Sequence, residues 1–403
     1  MNALKSFFSK ENIYDIIASV LVLMLPLSKA LPNLLLIPLG VVFLFRLKRN
    51  DYSYIKSKTI LLYFASIAVL TLFSFLKGTF IDDIAYFGRM YIVLLFFLFF
   101  TQVKKVKYIE LAFLLGVIIA VGISIINIFV EYQSNPEFVL ANNATVNEVL
   151  LLERPYFGIV LALGTFIALK YTETRKSNLE GYILAVVFTA FAVYISARLG
   201  ILMCLLLIVI YTIRLSKRNK NTTLGIGIGL TLLIALAFGL SNNLQKRMFI
   251  DNDFERTKKM VVDTEPRFVI WPCIFEKMAH PTIIAFGHKN KQEIEDELVK
   301  CYDKTIDYNE SKRVYYLKAK FNTHNQFLDF AMLGGYLPAI LLLLAFLVSF
   351  FSRKISFELK VILTLFFMFF IVENVLQRQL GAFLFGIFVA LYITLKQTKK
   401  PIV

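Results

Sequence analysis

Long apolar runs separated by short polar connections fill most of the chain. A helix crossing a bilayer needs roughly 17–25 apolar residues. Twelve apolar segments of about that length follow one another, at about 13–30, 31–46, 59–77, 84–103, 108–132, 155–172, 180–197, 199–216, 222–242, 326–351, 358–375 and 379–396. Segment two is short, and segments seven and eight leave room only for a tight turn. The one long polar interruption runs over residues 243–325. The pattern predicts an all-α integral membrane protein with about twelve transmembrane helices. It forms a single polytopic domain over 1–403, with one large, partly helical periplasmic loop between spans nine and ten.

Composition agrees with the pattern: mean hydropathy is +0.68 and 58% of residues are hydrophobic, too apolar for a single water-soluble core. A net charge of +16 would raise the question of nucleic acid. The positions of the charges answer it. With the N-terminus placed in the cytoplasm, the inner connections carry clusters such as Arg46, Lys48, Arg49, Lys56 and Lys58, or Lys104, Lys105 and Lys107. The short outer connections hold only Lys29, Lys77, Arg154, Arg198 and Arg378. This is the positive-inside distribution, so the basicity reports topology and no nucleic-acid partner is expected. Twelve spans place both termini in the cytoplasm and the 243–325 loop outside. The N-terminus shows no short apolar stretch with a small-residue cleavage site, so the first segment is expected to remain as a span. Tyr14, Tyr52, Tyr54, Tyr108, Tyr132 and Tyr156 near span ends fit an interfacial aromatic belt.

Within the loop, DTEPRFVIWPCIFEKMAH reads as a helix with Asp263 or Thr264 as N-cap, Pro266 as its first residue and Pro272 as a kink. Arg267 and Trp271 are four apart and share a face. PTIIAFGHKN reads as a turn, KQEIEDELVKCYDK as an amphipathic helix, and SKRVYYLKAKFN as the return to the membrane. A shorter outer segment, 133–154, is expected to hold a short helix around Asn147–Leu152. Cys273 and Cys301 both fall in the loop, where an oxidising compartment permits a disulfide; two unrelated buried thiols are the alternative.

The candidate chemistry is sparse. There is no phosphate-cradling glycine loop and no HExxH, and only three histidines (His280, His288, His324), so neither a metal site nor a cofactor is expected. Charge stabilisation would fall to arginine. Arg198 lies on the tight turn in YISARLGILM, where it is either a guanidinium ligand for a diphosphate or an interfacial snorkelling side chain. Arg267 is either a similar ligand or a solvent-facing arginine stacked on Trp271. Arg89, near the outer end of span four, and Arg154 read equally as pairing or topology-setting residues, and Arg378 as an ion-pair partner of Glu373. His324, in FNTHNQFLDFAMLGG, stands where the chain re-enters the membrane. At a helix start, capped by Asn322 or Thr323, its ring would be kept neutral and available as a base. An ordinary interfacial histidine is the alternative, and His280 and His288 are expected at the surface.

The order of these motifs resembles the O-antigen ligase and polymerase superfamily. The shared features are an arginine on a tight outer turn (SARLG) and an Arg-x-x-x-Trp element in a late loop (Arg267, Trp271). Pro281 and Gly287 follow, then a histidine before the next span with Gly334 and Gly335 behind it, and a polar end on the penultimate span (Glu373, Asn374). The resemblance covers mostly residues 150–390. It implies transfer of a glycan from an undecaprenyl-diphosphate-linked donor to an acceptor hydroxyl, at the periplasmic face of a bacterial inner membrane. Lipid A–core is the favoured acceptor, which makes the chain a ligase; a lipid-linked glycan acceptor would make it a polymerase. Arg198 and Arg267 would hold the diphosphate, and His324 would orient or deprotonate the hydroxyl. Asn325, Glu373 and Trp271 would support them, with Arg154 and Arg89 as further substrate contacts and membrane lipids around the carrier tail. A twelve-span transporter is the competing class, but it would place its long connection centrally and inside, with interrupted spans at matching positions in two halves.

Overall fold

The structure, a computed structural model, describes residues 11–47, 52–135, 143–174, 179–216 and 265–394. The described residues form helices and no strand. In chain order the α-helices are α1 (Glu11–Met24), α2 (Leu31–Phe45), α3 (Lys58–Leu76), α4 (Ile84–Phe100), α5 (Val106–Ser134), α6 (Asn143–Val149), α7 (Arg154–Thr174), α8 (Leu179–Tyr194) and α9 (Arg198–Ser216). They continue with α10 (Arg267–Met278), α11 (Pro281–Phe286), α12 (Lys291–Thr305), α13 (Glu310–Ala319), α14 (Gln326–Gly334), α15 (Tyr336–Phe351), α16 (Phe357–Val372) and α17 (Gln379–Ile393). Helices α3, α5, α7 and α9 are long and apolar enough to cross a membrane, and α1, α2, α4, α8, α15 and α17 are shorter apolar helices. Every predicted apolar segment that falls on described residues is helical over most of its length, the run 326–351 as two helices. The ninth, 222–242, lies outside them, as do residues 243–264 with the candidate caps Asp263 and Thr264.

The chain gathers into two compact units, residues 1–48 with 103–257 and residues 49–102 with 258–403. In the first, α7 packs along both α8 and α9, and α1 lies between α2 and α5. Gly158 on α7 and Gly200 on α9 meet backbone to backbone: a side-chain carbon at Gly200 would collide with Gly158 at 2.5 Å, and one at Gly158 would sit tightly, 3.1 Å from Gly200. In the second unit α3 packs on α15 and α4 on α17, which is buried along nearly its whole length. Phe346, Phe366, Phe370 and Phe385 cluster at this core, with ring centroids 5.0–6.2 Å apart among the contacting pairs.

Short polar side chains start the helices as their hydrogen-bonding capacity predicts. Ser57, Asn290, Asn309, Asn325 and Ser356 each accept a backbone N–H in the first turn of α3, α12, α13, α14 and α16. Several local expectations need correction. Helix α10 begins at Arg267 with Pro266 at the cap position, although Pro266 already holds helical dihedrals. Asn325, not Asn322 or Thr323, caps α14. The 143–149 stretch is helical where 147–152 was expected. PTIIAFGHKN is a short helix, α11, followed by a glycine bend.

The apolar run 326–351 is not one helix. It breaks at Gly335, whose φ of +72° strains any residue with a side-chain carbon. Gly335 packs against the backbone of Ile284 and Ala285, while Gly287, also at φ +72°, packs against Leu333 and Gly334. His288 N–H donates to Met332 O at 2.7 Å. Lys77 Nζ donates to His288 O at 2.6 Å and to Leu333 O at 2.8 Å. The α11 bend is thus wedged into the α14–α15 break, satisfying carbonyls that a continuous helix would have satisfied itself.

Candidate functional site

The polar end of the second unit is built where the α13–α14 turn, the start of α10 and the α16–α17 connection converge. Trp271, one turn along α10 from Arg267, donates from Nε1 to Thr323 O at 3.2 Å and ties that helix to the turn. Arg267 donates to Glu265 and to Val372 O, each at 2.5 Å, and its Nε is buried without a hydrogen-bond partner. Glu373 lies between Arg267 and His324, two of the three predicted catalytic side chains. One carboxylate oxygen is 3.5 Å from the Arg267 guanidinium, and the other is 3.4 Å from His324 Nδ1. Both distances are longer than a formed hydrogen bond, so the carboxylate acts on its neighbours mainly through charge.

His324 precedes the Asn325 cap with φ +43°, a left-handed conformation uncommon outside glycine. Its neighbours are held on several sides. Asn322 Oδ1 accepts the His324 N–H at 3.0 Å. Asn374 Oδ1 accepts from Thr323 Oγ1 at 3.0 Å and from Asn325 N–H at 2.6 Å. Asn325 Oδ1 in turn accepts from the N–H groups of Phe327 and Leu328. The imidazole lies 5.8 Å from the Phe321 ring and is about one quarter exposed.

Beneath the turn is a carboxylate four residues beyond Asn325. Asp329, one turn into α14, is wholly buried. Lys291, the first residue of α12, pairs with it at 2.5 Å, and Tyr86 of α4 donates its hydroxyl at 2.5 Å. Gln377 Nε2 donates to it at 2.8 Å, and Gln326 Nε2 lies at 3.5 Å. A buried carboxylate is tolerated only when its charge and lone pairs are matched, and four elements converge to match this one. The available signal was an aspartate inside an otherwise apolar run; its partners lie too far along the chain to be read from spacing.

The other predicted residues divide by place. Asn325, Trp271, Glu373, Arg267 and His324 are brought together, and Arg89 of α4 reaches the same connection through Gln377 O at 2.5 Å. Arg154 and Arg198 belong to the first unit, where each is the first residue of a helix, α7 and α9. Arg154 is buried and its backbone N–H donates to Asn147 Oδ1 at 3.4 Å; Arg198 is half-buried. The Gly158–Gly200 contact sets these two helix starts side by side.

His288, expected at the surface, is buried, 3.5 Å from Glu293; burial pushes its pKa down, and Glu293 opposes the shift. Burial likewise draws the Lys77 ammonium down to about 8. Cys273 of α10 and Cys301 of α12 form a disulfide, which Lys277–Glu297 at 2.8 Å reinforces.

Apolar helices of this number and length, with a charged cluster where polar helices meet their ends, define a multi-pass helical membrane protein. Residues 183–344 match the O-antigen ligase family model, a partial match that supports the O-antigen ligase and polymerase superfamily. The matched stretch includes Arg198, Arg267, Trp271, His324 and Asn325; Arg89, Arg154 and Glu373 lie beyond it. The family implies a membrane glycosyltransferase-like enzyme of O-antigen ligase or polymerase type. No curated protein matches the chain.

Proposed function

We propose that this chain transfers a glycan from undecaprenyl diphosphate to a hydroxyl of lipid A–core, at the periplasmic face of a bacterial inner membrane, without a metal ion. The observation carrying the reading is Glu373 set between Arg267 and His324, within a family described as O-antigen ligase. In the transfer, the acceptor oxygen attacks the anomeric carbon and the bond from that carbon to the diphosphate oxygen breaks. The acceptor proton passes to His324 Nε2. As imidazolium forms, Glu373 beside Nδ1 stabilises it, as a carboxylate behind a catalytic histidine does. The departing diphosphate gathers negative charge, which Arg267 meets with a guanidinium whose Nε is unspent on protein partners. Arg198 supplies a second guanidinium in this reading, Arg154 and Arg89 further contacts, and Asn325 and Trp271 hold the turn and the arginine helix in place.

The test is a surface-polysaccharide gel with analysis of carrier-lipid glycans, in a strain lacking the chain and complemented with wild type, His324→Gln or Arg267→Lys. Bare lipid A–core with long polymer stranded on the carrier, restored by wild type alone, is expected. Core bearing a single repeat would move the assignment to a polymerase. An unchanged profile in a strain that makes such a glycan and has no redundant copy would overturn both.

A further inference from the structure

Three hydrogen bonds run in series from the buried Asp329 carboxylate to the backbone of His324. Gln377 Nε2 donates to Asp329 Oδ1 at 2.8 Å. Gln377 Oε1 accepts from Asn322 Nδ2 at 3.1 Å. Asn322 Oδ1 accepts from His324 N–H at 3.0 Å. The order has a direction. An ionised carboxylate only accepts, whereas an amide has one donating and one accepting end. Asp329, paired with Lys291, therefore requires Gln377 to present its NH₂ inward and its oxygen to Asn322. Asn322 must then give its NH₂ to Gln377 and its oxygen to His324. With Gln377 reversed, Asn322 would turn its NH₂ toward the His324 N–H, donor against donor.

We propose that Asp329, Gln377 and Asn322 are positioning residues: the buried carboxylate fixes the sense of both amides, and through them the left-handed backbone of His324. A backbone of that kind costs on the order of 1–3 kcal/mol and persists only where its surroundings over-determine it. Asn374 grips Thr323 and Asn325 on either side, but of the two amides only Asn322 takes the His324 N–H itself. The catalytic consequence rests on the proposed role of His324, whereas the positioning does not.

The experiment uses the full chain in detergent micelles, labelled with ¹⁵N-histidine. The three histidines give three backbone amide signals, and His324→Gln assigns one of them. The variants are Asn322→Ala, Gln377→Met (close in volume, without either amide end) and their double, with Glu310→Ala as a control on an exposed side chain. Both single variants are expected to move the His324 amide signal, and the double to move it no further than Asn322→Ala alone, as links of one series behave. Transfer from a synthetic undecaprenyl-diphosphate oligosaccharide to purified lipid A–core should lose on the order of 10–100-fold in kcat, with the donor KM nearly unchanged. A His324 signal unmoved by Gln377→Met, or shifts in the double that simply add, overturns the relay. If the signals move in series while His324→Gln transfers normally, the relay stands and the proposed function fails.

Discussion

At His324 the chain holds a histidine in a backbone conformation that glycine would adopt more easily, and sets its ring beside a carboxylate. Glu373→Gln keeps the shape and removes the charge. The amide is expected to lower kcat on the order of 10–100-fold, because a forming imidazolium loses its counter-charge. Steady-state transfer kinetics checks this, and a wild-type kcat would detach Glu373 from the mechanism. His288 is a different kind of residue. Its folded pKa is depressed by burial below the usual 6.5. Between that lowered value and 6.5 the unfolded chain binds a proton that the folded chain does not, so stability should fall as pH drops below about 6.5. Thermal melts of wild type and His288→Gln across pH 5–7.5 should converge at the acid end, and a parallel offset would refute the assignment. Much of the site was readable at this scale. The single tryptophan, a histidine at an apolar boundary and a Glu-Asn pair at a span end stand out by type and position. Gln377, Lys291 and Tyr86 do not, because their roles come from partners tens or hundreds of residues away, and Asn322, readable only as a candidate cap, is tied to Gln377 across 55 residues.

Helices α10 and α12 form a clamped pair whose energetics should govern how Arg267 is held. Their disulfide closes a 28-residue separation, which in the chain-entropy picture is worth roughly 3–4 kcal/mol. Cys273→Ala/Cys301→Ala is expected to raise hydrogen exchange in both helices and to weaken donor binding more than it slows bound donor. Unchanged exchange would mean that α10 is held by Trp271 and its apolar face alone. Acid should loosen the same pair. Lys277 and Lys300 draw the Glu297 carboxyl down to about 2. The depressed value means that the pair's contribution is present above the unfolded carboxylate range and is lost as pH falls from about 4.5 toward 2. Lys277→Met should blunt that loss, read as exchange in α12 at pH 3 against pH 6. Helix positions were legible because apolar runs and short polar caps are local signals. The break at Gly335 was not, since it depends on α11 packing from about fifty residues upstream.

For the molecule as a whole, the break at Gly335 decides how the membrane is crossed. Helix α15 alone has 16 residues, about 24 Å at 1.5 Å per residue, against a hydrocarbon core of about 30 Å. It reaches across only if α14 contributes length; otherwise the chain enters and leaves by one face. The basic residues Arg353, Lys354 and Lys360 after α15 favour a full crossing, since positive connections stay in the cytoplasm. Two variants separate the cases, each adding one cysteine to a chain that carries Cys204→Ala and keeps its Cys273–Cys301 disulfide: Glu310→Cys on α13, where the side chain is 74% exposed, and Lys354→Cys beyond α15, also exposed. With a membrane-impermeant maleimide and a permeabilised outer membrane, position 310 should react in intact cells, and position 354 only after the inner membrane is opened. Reaction at both from outside would make α14 and α15 a re-entrant pair. The count of spans would then fall by one, and the 357–393 helices would have to be threaded in the opposite sense. Reaction at neither would place the Arg267–His324 cluster inside the cell, on the wrong side for the proposed glycan transfer.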